Sequence, residues 1–137
     1  MYAAQIGRDV LETSVEGAKS FTASAVGLMS PIRNVSEGDA ATYFNRETGE
    51  GSIFILNKAY KENTVFDIAL PFDHAEVTAV TELFAPDNTM YNNQTNPTMV
   101  RLTEHDEFFG TVEAGKLRVT AKPVSLVKID FMVPQAQ

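Results

Sequence analysis

Apolar and polar residues alternate with a period of two over much of this chain, the mark of half-buried β-strands, while helical periodicity is confined to the first dozen residues. The run Lys116 to Ala121 shows the alternation most cleanly. Leu117, Val119 and Ala121 fall on one face and Lys116, Arg118 and Thr120 on the other, which predicts a strand with one packed and one solvated side. The closing run follows suit, with Val127, Ile129, Phe131 and Val133 on a core face and Lys128 and Asp130 outside. Ser52 to Asn57 is apolar in both phases, as expected of a central strand covered on two sides. Thr64 to Leu70 turns Phe66, Ile68 and Leu70 inward and stops at Pro71, which has no N–H to give a ladder. Val77 to Phe84 is a further strand, and Phe21 to Met29, rich in Ala, Ser and Thr, a less regular one.

Turn chemistry joins these runs into hairpins. Asn45 to Gly51 lies between Ala40–Phe44 and Ser52–Asn57, and Glu113-Ala114-Gly115 lies between Thr111-Val112 and the Lys116 strand. About eight short strands separated by Gly, Pro, Asn and Asp clusters predict an all-β fold, a two-sheet antiparallel β-sandwich of jelly-roll type. Its expected core is Ile53, Ile55, Phe66, Ile68, Leu117, Val119, Ile129 and Phe131. Turn-forming residues from Ser30 to Gly38 mark a soft boundary, dividing a lead-in with the first strands (1–38) from the main sandwich (39–137). Met1 to Arg8 reads like the tail of a helix or loop belonging to something larger, so a fragment is expected.

Composition narrows the partners. At 137 residues and 44% hydrophobic the chain suits one packed core. Without cysteine it has no disulfide or thiolate metal site, in keeping with a cytoplasmic protein. A formal charge of −7 makes phosphate backbones and anionic lipid poor partners, so no nucleic acid and no membrane is expected. Nor does any run approach the ~20 apolar residues of a membrane span.

Candidate chemistry is sparse. Glu104-His105-Asp106-Glu107 is the densest charged cluster and could pair an acid/base carboxyl with an imidazole, but charged runs between strands are commonly solvated turns, the reading preferred here. His74 and His105, 31 positions apart, are the only histidines, so no metal-ligand spacing emerges. Asp87, Asn88, Asn92 and Asn93 offer oxygens for calcium without the alternating pattern a calcium loop uses, and Asx residues are good turn formers. No nucleophile elbow or phosphate loop is present. Catalytic, cofactor-binding and metal residues are therefore all expected to be absent. For a free-standing carbohydrate-binding module, Tyr43, Tyr60 and Tyr91 are the possible stacking rings, with Tyr91 best placed beside the Asn-rich loop. Packing of these rings, with the hydroxyl satisfied, is the more ordinary role.

Several short blocks carry a resemblance over about Asp39 to Val133. These are Ala40-Ala41-Thr42-Tyr43 with Ser52 to Lys58, the loop with Asn92, Asn96-Pro97 and Val100, and Pro123-Val124-Ser125 before the last strand. In order and content they resemble the C-terminal β-sandwich of the α-L-arabinofuranosidases of glycoside hydrolase family 51. Gly7-Arg8 with Val10-Leu11 is similar to the segment that leaves that family's catalytic barrel. There are departures. Lys58 stands where the family has Arg, losing a planar fork of donors; Gln94-Thr95 replace Phe-Glu; and Leu126 stands where Trp is common.

The resemblance implies a parent enzyme that releases terminal α-L-arabinofuranosyl groups from arabinan, arabinoxylan and their oligosaccharides by a retaining mechanism, in L-arabinose metabolism. Its catalytic glutamates belong to a (β/α)8 barrel, and no residue of this chain matches them. The domain would be a scaffold. Its implied partners are that barrel, in the same parent chain, and further copies in a homo-oligomer. A segment from before the barrel would complete the sandwich, so a chain without it should leave a strand edge and an apolar patch uncovered, the candidate surface lying around Met29, Ile32 and Phe108-Phe109.

Overall fold

The computed structural model describes residues 8–23, 27–28, 30–85, 92–108, 110–113 and 116–134. Eleven strands occur among them: β1 (Asp9–Leu11), β2 (Ser20–Ala23), β3 (Ile32–Ser36), β4 (Gly38–Phe44), β5 (Glu50–Asn57), β6 (Thr64–Ala69), β7 (Glu76–Phe84), β8 (Arg101–His105), β9 (Thr111–Glu113), β10 (Lys116–Ala121) and β11 (Ser125–Met132). They form a six-stranded sheet in the order β1-β4-β5-β11-β7-β8, a three-stranded sheet β6-β10-β9 and a ribbon β2-β3, with every pairing antiparallel. The chain passes from the large sheet to the small one at β6, returns at β7, and passes over and back again through β9, β10 and β11. The fold is an all-β sandwich.

Side-chain alternation explains which faces meet. Along β10 exposed and buried residues alternate strictly, and Leu117, Val119 and Ala121 are buried. On β11 the inward set is Val127, Ile129 and Phe131, and on β5 it is Ile53 and Ile55, all buried in one cluster with Phe44, Ala75 and Val80. Phe66 and Ile68 of β6 are partly buried against that cluster, as are Leu70, Phe72 and Val133. Each fully buried Ile or Phe contributes roughly 1.5–3 kcal/mol relative to exposure, so this seam dominates the fold's stability. The expected hairpins β4-β5 and β9-β10 are both present.

The β4-β5 turn is built by Asn45. Its Oδ1 accepts from the backbone N–H groups of Glu47 and Thr48, at 2.9 and 3.2 Å, while Gly49 takes φ 80° and donates to the Asn45 carbonyl at 2.8 Å. Val133 N–H then bonds the Gly49 carbonyl at 2.8 Å, tying the end of β11 to this turn. On the outer face of the large sheet, Leu56, Leu126, Leu83 and Leu102 fall in register across four neighbouring strands, making one apolar row.

Three expectations need correction. The first dozen residues were expected to hold the chain's helical periodicity, yet Asp9–Leu11 is a strand on the edge of the large sheet; three residues are too few to show a period, and pairing with β4 decides their conformation. The turn-like stretch Ser30 to Gly38 contains β3, held in a ribbon by β2. The run Phe21 to Met29 is a strand only through Ala23; Gly27 and Leu28 form a turn, and Met29 lies outside the described residues.

Candidate functional site

Strand geometry separates the charged cluster. Glu104 and His105 belong to the end of β8, not to a turn, and adjacent strand residues point to opposite faces. His105 lies opposite Val80 and turns inward, while Glu104 lies opposite Thr81 on the outer face. Asp106 and Glu107 follow in an exposed bend. The four side chains therefore do not converge on one point. His105 instead meets a residue absent from the sequence-based candidates. Glu82 sits on the inner face of β7, 4% exposed, with one oxygen 3.2 Å from Lys122 Nζ and 3.5 Å from His105 Nε2. The signal was present in the sequence, since Glu82 occupies a position in phase with Val80 where the alternation calls for an apolar residue. Lys122 also lies over the Phe84 ring, 4.6 Å from its centroid. Burial of this carboxylate is offset by the Lys122 ammonium, with the His105 ring beside the same oxygen, so this is a structural polar cluster.

The Asn-rich loop closes on itself. Asn92 Nδ2 donates to the Val100 carbonyl at 2.9 Å and Asn92 Oδ1 accepts from Val100 N–H at 2.7 Å, so one side chain imitates a strand neighbour at the entry to β8. Asn93 Oδ1 accepts from Thr95 and Asn96 N–H, at 2.9 and 2.7 Å. These amides are engaged in turn formation. Asp87, Asn88 and Tyr91 lie outside the described residues. Among the described residues no three His, Asp or Glu side chains are grouped to hold a metal. His74 is exposed in the turn before β7.

Of the tyrosines, Tyr43 is half-buried and meets Phe54 edge-on, ring centroids 5.8 Å apart. Tyr60 is 60% exposed, with Lys61 Nζ 5.6 Å from its ring centroid.

Asn57 is the best-connected polar group described. It is fully buried. Its Nδ2 lies 3.2, 3.1 and 3.0 Å from the carbonyls of Glu62, Ala121 and Lys122, and its Oδ1 accepts from Ala59 N–H at 3.0 Å and Thr64 Oγ1 at 3.1 Å. One amide thus fastens β5, the loop before β6, and the end of β10. Lys58 beside it pairs with Asp39 at 3.6 Å through a single point charge. In the Pro123-Val124-Ser125 turn, Val124 takes φ 49°, a strained value for a β-branched residue, and donates to the Ala59 carbonyl at 3.1 Å; Ser125 Oγ bonds the Lys122 carbonyl at 2.7 Å.

A cleft of about 890 Å³ opens along the side of β6 away from β10. Its floor includes Ile53 and Ile55, one wall is Phe66 and Ile68, and the other is the segment from Leu11 to Lys19.

No family model matches the sequence, and no curated protein matches it. Solved structures do. The α-L-arabinofuranosidase from Thermotoga maritima superposes with a TM-score of 0.70 at 20% identity over 85% of this chain. The family 51 enzyme from Thermotoga petrophila gives 0.67 at 21% over 82%. Their shared feature is the sandwich fold. That of Bifidobacterium longum, also family 51, gives 0.62 at 17% over 82%. The chain spans only about a quarter of the length of these enzymes, 24%, 23% and 21% respectively. A bifunctional glucanase-xylanase from a metagenome library matches with a TM-score of 0.50 at 14% identity over 72% of this chain.

Proposed function

We infer that this chain is the non-catalytic C-terminal sandwich of a family 51 α-L-arabinofuranosidase, a scaffold for a catalytic barrel supplied by the rest of the parent chain. The observation that carries this reading is a coincidence of two independent signals. The sandwich superposes on a quarter of several such enzymes, and the blocks that carry the sequence resemblance are the joints of this fold. Asn57 is the buried fastener, Asn92 and Val100 close the loop before β8, and Pro123 to Ser125 form the turn before β11.

On this reading the substrates are terminal α-L-arabinofuranosyl groups of arabinan and arabinoxylan, and the chemistry of the retaining reaction belongs to barrel carboxylates outside this chain. The parent enzyme is cytoplasmic and homo-oligomeric. The cleft beside β6 receives a strand from another part of the parent chain. The deciding experiment is to read the gene upstream of Met1 and express the full reading frame. A preceding (β/α)8 pattern and hydrolysis of an aryl α-L-arabinofuranoside by the long product, with none by the present chain, supports the reading. A short frame whose product binds arabinan at micromolar concentration replaces it with a free-standing binding module.

A further inference from the structure

The cleft beside β6 also specifies the chemistry of what fills it. β6 has a hydrogen-bonded neighbour on one side only among the described residues, and the cleft runs along the other. With a rise of about 3.3 Å, a strand spacing of about 4.8 Å and a sheet separation of about 10 Å, a six-residue strand takes up roughly 950 Å³. β6 has six residues and the cleft holds about 890 Å³, so one more strand fits beside it. The inward positions of that strand meet Ile53, Ile55, Phe66 and Ile68, which requires apolar side chains.

The outward positions meet a charged rim. Glu12, Glu16, Glu37 and Glu62 line it, against the single cation Lys19, which lies 3.5 Å from Glu62. Asp67 is engaged by Arg118 on the outer face of the small sheet. We propose that the occupant is an extended segment alternating apolar residues with lysine or arginine, the apolar set entering the core and the basic set spanning the glutamates. This deepens the preceding reading and rests on it, because that segment would come from the parent chain. A second copy of this chain fits the rim poorly, carrying net charge −7 itself.

Three labelled, end-capped six-residue peptides, alternating valine with lysine, threonine or glutamate, test this against the intact chain by fluorescence anisotropy at low salt. The lysine peptide is expected to bind about fivefold more tightly than the threonine peptide and the glutamate peptide more weakly still, the order collapsing as salt is raised. The triple variant E12Q/E16Q/E62Q, all at exposed positions, is expected to bring the lysine and threonine peptides to near parity. Equal binding of all three by the unaltered chain overturns the charge assignment and leaves the strand-shaped cleft standing. A lysine advantage that survives the triple variant also overturns it, because the charge lies elsewhere. Binding of none of them, or of an arabinan oligosaccharide alone, removes the strand occupant itself.

Discussion

Asn57 shows how one residue can hold two sheets in register. Its two amide hydrogens are shared among the backbone carbonyls of Glu62, Ala121 and Lys122. Asn57→Ala removes these bonds together and is expected to cost about 3–5 kcal/mol, read as a lower urea midpoint with an unchanged slope. At the opposite extreme is the exposed pair on the small sheet. The hydrogen bond from Arg118, helped by its charge, holds the Asp67 carboxyl below its ordinary value. A depressed aspartate contributes stability above its unfolded value and loses it as pH falls through the folded one. Asp67→Asn is therefore expected to be slightly less stable than the parent sequence at neutral pH and to match it in strong acid, a convergence that urea titrations at the two pH values will show.

At the scale of elements, close approach and loop closure set the strand positions. Gly51 lies opposite Phe131, and a Cβ there would fall 2.2–2.7 Å from the Phe131 ring. Gly51→Ala is expected to cost about 2 kcal/mol, seen in thermal unfolding, because a ring at the heart of the core must move. Asn92→Ala removes both bonds to Val100 and is expected to speed amide exchange across β8 by about tenfold while leaving β5 and β11 unchanged, as mass spectrometry of exchanged fragments will test. The same elements explain what the sequence disclosed. β5, β10 and β11 were legible because each is long enough to alternate and buries one whole face. β1, β3 and β8 are short and mostly exposed, so alternation has little room to show, and pairing with β4, β2 and β7 decides their conformation. For that reason the contact between His105 and Glu82 escaped sequence reading, although Glu82 out of place in an apolar phase was its trace.

For the whole molecule, the leucine row on the outer face is the surface open to a second copy of the chain. Leu102 at the end of that row is 53% exposed, and Ile32 on the ribbon 54%, whereas Phe108 packs against the core; Phe109 lies outside the described residues. Self-association is expected to rise with concentration, and to rise further with salt, since screening removes the mutual repulsion of chains at −7. Sedimentation velocity over a hundredfold concentration range checks this, and a strictly monomeric chain at high concentration and high salt would refute it.

The position of β11 between β5 and β7 sets a timetable for synthesis. Until Ser125 to Met132 emerges, the group β1-β4-β5 and the pair β7-β8 have no ladder between them. Roughly 40 residues separate the end of β7 from the start of β11, so at about 5–20 residues per second β7 waits about 2–8 s for its neighbour. During that interval Val80 and the inner surface of β5 stand open on the ribosome, within reach of any holdase. The sheet cannot be assembled progressively from its first strand. Its two groups of strands become one sheet only once the central strand lies between them.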